Sequence, residues 1–283
     1  MIYPLKPEEF PELLREIPEP LKELRYEGKL PLAQNRLLAV VGARKFSPYG
    51  REACESLIMG LRGEPVTIIS GLALGIDSIA HRAALRAGLQ TIAIPGSGLD
   101  RRVIHPRSHA SLADEIIENG GGLMSEYEDM MPSGVWAFPR RNRIMAGMCH
   151  ATLVVEAERK SGTLITARLA TDYNREVGAI PGPLHSPTAE GPHMLIRLGA
   201  ALVRDRDDLL ELLGLERKDG PSTLIDTDSL TNEEKRFVEI LEHPCSRDEL
   251  IRKSKLDTGV ASAILSILEI KGLIKEEMGE VRK

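Results

Sequence analysis

Five short apolar runs, each ending in a turn of glycine or hydroxyl side chains, leave this chain few folds to choose from. They are Leu37-Leu38-Ala39-Val40-Val41 before Gly42-Ala43-Arg44, Thr67-Ile68-Ile69 before Ser70-Gly71, Thr91-Ile92-Ala93-Ile94 before Pro95-Gly96-Ser97-Gly98, Thr152-Leu153-Val154-Val155 before Glu156 and Ser161-Gly162-Thr163, and Gly178-Ala179-Ile180 before Pro181-Gly182. Unbroken apolar runs of this length suit strands buried on both faces, the situation in a parallel sheet covered by helices on each side. Helical patterns separate the runs, over residues 49–62, 76–87, 108–119, 140–148, 164–175 and 194–198. That alternation is the pattern of right-handed βαβ units. The predicted class is therefore α/β: a Rossmann-like, doubly wound, mainly parallel sheet over residues 37–213. Ligands of such sheets collect beyond the carboxyl ends of the strands, where the glycine turns lie.

The flanking segments have other rhythms. Residues 1–36 carry prolines at 4, 7, 11, 18, 20 and 31 around one short amphipathic stretch, and they read as a wrapping arm. Residues 214–228, with Lys218-Asp219-Gly220-Pro221-Ser222, read as a linker. Beyond it, Thr231 with Glu234 and Ser246 with Glu249 mark two helix starts, Thr258 opens a third helix, and 273–281 reads as a hairpin. Three helices and a hairpin predict a small winged helix-turn-helix domain over 229–283. From Asp228 on, ten Lys or Arg face twelve Asp or Glu, and the third helix has no basic side chain. A helix that reads a DNA groove carries arginines or amides, so this domain is expected to dock a protein rather than duplex DNA.

Charge narrows the function classes. A net charge of -5 excludes indiscriminate coating of nucleic acid, which needs many cations facing phosphates. Residues 137–175 nevertheless hold seven Lys or Arg against three carboxylates, so a local basic patch is expected there. No uncharged apolar run reaches the roughly 18 residues of a membrane span, and the start resembles no signal peptide, which predicts a cytoplasmic protein without membrane partners. The three cysteines, Cys54, Cys149 and Cys245, form no C-x-x-C pair and suggest neither disulfides nor a metal site.

Within the sheet domain several turns could hold an anion. Arg44 after Gly42 can fork onto a phosphate, and Ser47-Pro48 fits a helix N-cap with proline behind it. Ser70-Gly71 opens a second turn, followed by Asp77 and His81 one helical turn apart, read as a structural tie. Arg140, Arg141, Asn142 and Arg143, taken as the start of a helix, place forked donors and a helix dipole where phosphates could sit. Ser161, Gly162, Thr163 and Thr166 form a hydroxyl-rich turn at another helix start, suited to a phosphate or a base edge. No Walker loop and no strict G-x-G-x-x-G occur, so no nucleotide cofactor is predicted; the His105 and His109 pair lacks the glutamate of a zinc helix, so no metal is either.

The ordered set Val41-Gly42-Ala43-Arg44, Ser70-Gly71-Leu72-Ala73-Leu74-Gly75-Ile76-Asp77, Pro139-Arg140-Arg141-Asn142-Arg143-Ile144, Ser161-Gly162-Thr163-Leu164-Ile165-Thr166-Ala167 and Ile180-Pro181-Gly182 resembles the DNA-processing protein family DprA, also called Smf. The resemblance covers about residues 37–203, and the tail resembles the winged-helix domain of many members. It implies a non-enzymatic protein that binds single-stranded DNA, forms a homodimer and helps load the recombinase RecA in natural transformation. It also implies a strand site at Arg44 and the 140–143 segment completed by the serine-glycine turns, and self-association near Leu195 to Leu198. Two departures stand out: the helical N-terminal domain of many relatives is represented only by the proline-rich approach, and Gly191-Pro192-His193 stands where relatives often have Gly-x-Asn. Two other readings stay open, a phosphoribohydrolase-like enzyme on nucleotides and a winged-helix regulator on duplex DNA.

Overall fold

The computed structural model describes residues 1–216, 231–241, 245–254, 256–270, 273–277 and 280–282. Two compact units divide the chain, 1–218 and 219–283. The first contains β1 (Ile2–Leu5), α1 (Glu12–Arg15), β2 (Leu24–Gly28), β3 (Arg36–Val41), α2 (Pro48–Gly60), β4 (Val66–Ser70), α3 (Ile76–Ala87), β5 (Gln90–Ala93), α4 (Ala110–Glu118), β6 (Gly122–Ser125), α5 (Ala137–Met148), β7 (Ala151–Val154), α6 (Thr163–Asp172), β8 (Glu176–Ala179), α7 (Glu190–Arg197), β9 (Ala201–Leu202) and α8 (Arg206–Leu212).

The nine strands form one sheet in the order β1-β2-β6-β5-β4-β3-β7-β8-β9. From β6 to β9 all neighbours are parallel, while β1 with β2 and β2 with β6 are antiparallel. Alternation along β3 shows why both faces are covered: Leu37, Ala39 and Val41 enter a core with α5 and α6, whereas Leu38 and Val40 enter another with α2, α3 and α8. A strand sandwiched this way loses solvent on both sides, and each fully buried aliphatic side chain contributes about 1.5–3 kcal/mol.

Residues 1–36 differ from a wrapping arm, since they supply two strands to the sheet and bury Leu5, Phe10, Leu14, Ile17, Leu21 and Leu24 in its core. The prolines permit this. Pro4 sits in the edge strand β1, where a missing N–H costs no ladder bond with a further neighbour, and Pro7 and Pro11 precede or begin short helical turns.

The proposed linker 214–228 falls outside the described residues from 217 on. In the second unit, α9 (Asn232–Ile240), α10 (Arg247–Ser254), α11 (Thr258–Ile270), β10 (Lys275–Glu277) and the antiparallel β11 (Glu280–Arg282) make up the winged-helix arrangement. Thr231 and Glu234 close a reciprocal cap on α9, and the Glu249 amide donates to Ser246 Oγ at 3.3 Å. Phe237, Leu250, Leu265 and Leu268 centre a core belonging to this unit alone. The solvent face of α11 presents Val260 and Ile267.

Candidate functional site

Strand order locates the site. β4, β5 and β6 lie on one side of β3 and β7, β8 and β9 on the other, so the chain reverses its direction of winding between β3 and β7. Loops leaving two such strands diverge and leave a crevice at their carboxyl ends. A cleft of about 440 Å³ opens there, between the Arg44 loop, Asp77 of α3, α5 and the turn that begins α6.

Its floor holds two buried side chains of opposite charge, Arg141 and Asp77. Arg141 is 5 % exposed; its Nη1 donates to the Ile94 carbonyl at 2.7 Å, and its Nε, fully enclosed, has no partner. The guanidinium lies against Gly71, where a Cβ would fall 1.5 Å from Nη1, so only glycine fits beneath it. Asp77 is also buried and accepts from the amides of Gly71 and Ala73 at 3.2 and 3.4 Å. Burial pushes the Asp77 carboxyl above its ordinary value, against the pull of Arg141 and the two amides, and the same burial draws the Arg141 guanidinium down. Gly75, at φ +85°, turns the chain into α3 so closely under the Arg44 loop that a Cβ would meet the Ala43 carbonyl at 2.2 Å. Asn142 completes the floor, buried except for the part that lines the cleft.

The rim is cationic and open. Arg44, Lys45 and Lys160 are exposed, all three line the cleft, and none makes an ion pair among the described residues. Arg44 places its guanidinium carbon 5.1 Å from the centroid of the Phe138 ring, a cation–π distance. On the opposite side Ser161 Oγ accepts from the Thr163 amide at 3.2 Å, and Thr163 Oγ1 donates to the Gly42 carbonyl at 3.1 Å. These bonds tie the α6 turn to the end of β3. They also leave the Ser161 and Thr163 hydroxyls engaged with the protein itself. Two carboxylates share the lining, the buried Asp77 and the exposed Glu158.

Of the residues proposed from sequence, the cleft brings together Arg44, Arg141, Asn142, Ser161, Gly162, Thr163 and Thr166. Ser47, Ser70, Gly71, Arg140 and Arg143 do not line it, and each has a structural post instead. Ser47 caps α2, accepting from the Gly50 amide at 3.0 Å and donating to Glu156 at 2.7 Å. Ser70 Oγ donates to the Val40 carbonyl at 2.7 Å, locking β4 to β3. Gly71 is the platform under Arg141. Arg143 is buried; it pairs with Glu126 and donates to the Glu19 carbonyl at 2.7 Å. Arg140 is exposed and lies 3.5 Å from the same carboxylate. The reason is helical geometry: α5 starts at Ala137, so the arginines do not form its N-terminus, and about 100° of rotation per residue sends them to different sides.

Asp77 and His81 are not tied to each other, because His81 Nδ1 bonds Thr91 Oγ1 at 2.7 Å. His109 Nδ1 faces the Leu72 carbonyl at 2.8 Å while His105 packs against Phe138. Sequence reasoning missed Lys45 and Lys160 as rim cations, although each adjoins a motif it had singled out. Among the described residues no helix is long and apolar enough to cross a membrane.

Comparison with known proteins identifies the family and the fold. The model of the family described as DNA recombination-mediator protein A matches residues 2–214, and that of the DprA winged helix domain matches 226–280. Protein Smf of Escherichia coli is 49% identical over 66% of this chain, which spans about half of that relative's length. DNA processing protein DprA of Streptococcus pneumoniae is 43% identical over 71% of this chain and 70% of its own. The solved structure of the Streptococcus pneumoniae protein superposes with a TM-score of 0.70 at 38% identity, covering 74% of each chain. That of DNA processing protein A from Helicobacter pylori, described for its single-stranded DNA binding mode, gives 0.67 at 28% identity over 75% of this chain and 95% of its own.

Proposed function

The chain belongs to the DNA recombination-mediator protein A family, and from that premise we propose that its cleft holds the backbone of single-stranded DNA. One observation carries the reading: three exposed cations, without ion-pair partners among the described residues, line a crevice at the sheet's switch point, in a chain of net charge -5. Unpaired cations on a rim exchange bound counterions for phosphates, which favours binding of a polyanion through a patch rather than through overall charge. The open cleft accepts a flexible strand, and Arg44 over Phe138 offers both a phosphate fork and a ring beside it. The reading of the protein as a binder rather than an enzyme rests on family membership.

Delivery of the bound strand to the recombinase RecA, by a homodimer in the cytoplasm, rests on family membership. For self-association the supporting features are two exposed leucines, Leu198 at the end of α7 and Leu202 of β9, the last strand in the sheet order. Titrating oligo-dT at several salt concentrations tests the cleft assignment. Arg44→Ala and Lys160→Ala should each weaken binding and flatten the logarithmic salt slope by about 0.7, the contribution of one phosphate contact on a single strand. Folded variants with an unchanged slope would place the strand elsewhere.

A further inference from the structure

The N-terminal segment bears on the side of α5 that faces away from the cleft. Phe138, Arg141, Asn142 and Met145 line the cleft from α5. At about 100° per residue these four form one stripe, while Arg143 and Gly147, one turn apart, lie on the opposite side of the helix. Gly147 is buried, and a Cβ there would fall 2.4 Å from Ile17 Cγ2. Glycine is a poor helix former, so its place here is set by the close approach of Ile17 to the helix backbone. One turn earlier Arg143 pairs with Glu126 and donates to the Glu19 carbonyl at 2.7 Å. The segment that carries Ile17 and Glu19 is itself fixed. Leu14, Ile17 and Leu21 are buried in the core, and Arg175 donates to the Leu13 carbonyl and to Glu16, each at 2.8 Å.

We infer that residues 12–21 are a positioning element for the cleft: through Gly147 and Arg143 they set how far α5 stands towards it, and so how tightly the strand is held. This rests on the single-strand reading above and adds the residues that seat the wall of the cleft without touching the strand. Packing decides which side gives way. The segment backs onto a filled core and onto Arg175, whereas α5 has the open volume of about 440 Å³ in front of it. A close-packed interior transmits a displacement rather than absorbing it, so a group added between Ile17 and Gly147 moves α5. The Arg141 guanidinium and the Phe138 ring travel with the helix, and Arg44, 5.1 Å from that ring, loses its seat on the rim.

Oligo-dT affinity, urea unfolding and tryptophan emission, measured on the same variants, separate positioning from stability. Trp136 is the single tryptophan, sits at the start of α5 and meets Tyr127 edge-on at 5.6 Å, so its emission reports a shift of the helix. Gly147→Ala should shift that emission and weaken binding about two- to thirtyfold, the range of coupling carried through packed side chains, with the salt slope unchanged because no cation is lost. Adding Ile17→Ala removes the obstructing methyl, leaves the Ile17 Cβ position 3.7 Å from the new one, and should return affinity and emission to wild-type values. Ile17→Ala alone gives up core packing and should lower the urea midpoint while binding as the wild type does. Arg143→Lys keeps a cation beside Glu126 but loses the fork that also reaches Glu19; it should weaken binding in the same way, and it decides the matter if Gly147→Ala does not fold. Affinity that follows the urea midpoint across these variants overturns the inference, as does wild-type affinity in folded Gly147→Ala and Arg143→Lys. If the wild type itself does not bind oligo-dT, the single-strand reading fails and this inference with it, a result distinguishable from the other two.

Discussion

The loop after β3 holds Arg44 and Lys45 in solvent with no carboxylate paired to either among the described residues, whereas the second arginine stretch, Arg140 to Arg143 on α5, is mostly committed to the protein itself. Arg143 is enclosed with Glu126 and the Glu19 carbonyl, and Arg141 is fixed between Ile94, Gly71 and Asp77. A guanidinium already paired and dehydrated has few donors left for a phosphate, while an exposed one keeps its full fork and its counterions. Three arginines in four residues therefore say less about a ligand than one arginine in a glycine turn. What separates the two stretches is the supply of internal partners, which charge counting does not see.

The strongest way to break this contrast is to remove the internal commitment of Arg143. Arg143→Ala leaves the enclosed Glu126 carboxylate with only the exposed Arg140, 3.5 Å away, a loss of up to about 3–5 kcal/mol. Urea unfolding should show it as a lower midpoint with an unchanged slope. A double replacement, Arg143→Met with Glu126→Met, should recover much of the loss because it removes both charges together. A single variant with wild-type stability would mean that the pair is solvated and that Arg143 is free for a ligand after all.

A second, smaller effect comes from His81, part of the same enclosed interior. Burial lowers its imidazole to about 3, aided by His109 and Arg141, while the unfolded chain titrates near 6.5. Above pH 6.5 the ring is neutral in both states and its contribution is complete. Below that, only the unfolded chain takes the proton, so stability falls as the pH drops from 6.5 towards 3. Between pH 7 and pH 5.5, above the range of ordinary carboxylates, the loss due to His81 should be about 1 kcal/mol, and His81→Gln should remove that share, leaving the part from His150, which burial also lowers. A wild-type unfolding free energy flat across that interval would show that His81 accepts a proton within the fold.

Much of the architecture could be read before the structure, and the reasons lie in particular residues. Unbroken runs such as 66–70 and 151–154 are apolar on both faces, a pattern that surface strands do not have. Thr231 with Glu234 and Ser47 with Pro48 fixed two helix starts through local chemistry alone. β1 and β2 were not legible, because prolines in an edge strand look like those in a loop and pairing with β6 is a long-range event. The site was half legible. Arg44 and the 161–166 turn end strands and must lie at the crevice, but the direction of each arginine on α5 depends on where the helix begins, and Ala137 carries no capping signal.

The smallest effect expected is the most informative about how far the contrast extends. The unit 219–283 has its own core, nearly balanced charges that lean acidic, and on α11 a sequence, Thr258–Ile270, without a basic side chain. Ending the chain after residue 218 keeps the nine-stranded sheet, both of its main cores and every residue of the cleft. Affinity for oligo-dT should then change by less than about twofold, with the salt slope preserved, because no phosphate contact has been removed. A tenfold loss with a flatter slope would assign phosphate contacts to the winged helix, and open cations on one loop of the sheet domain would no longer suffice to explain strand capture.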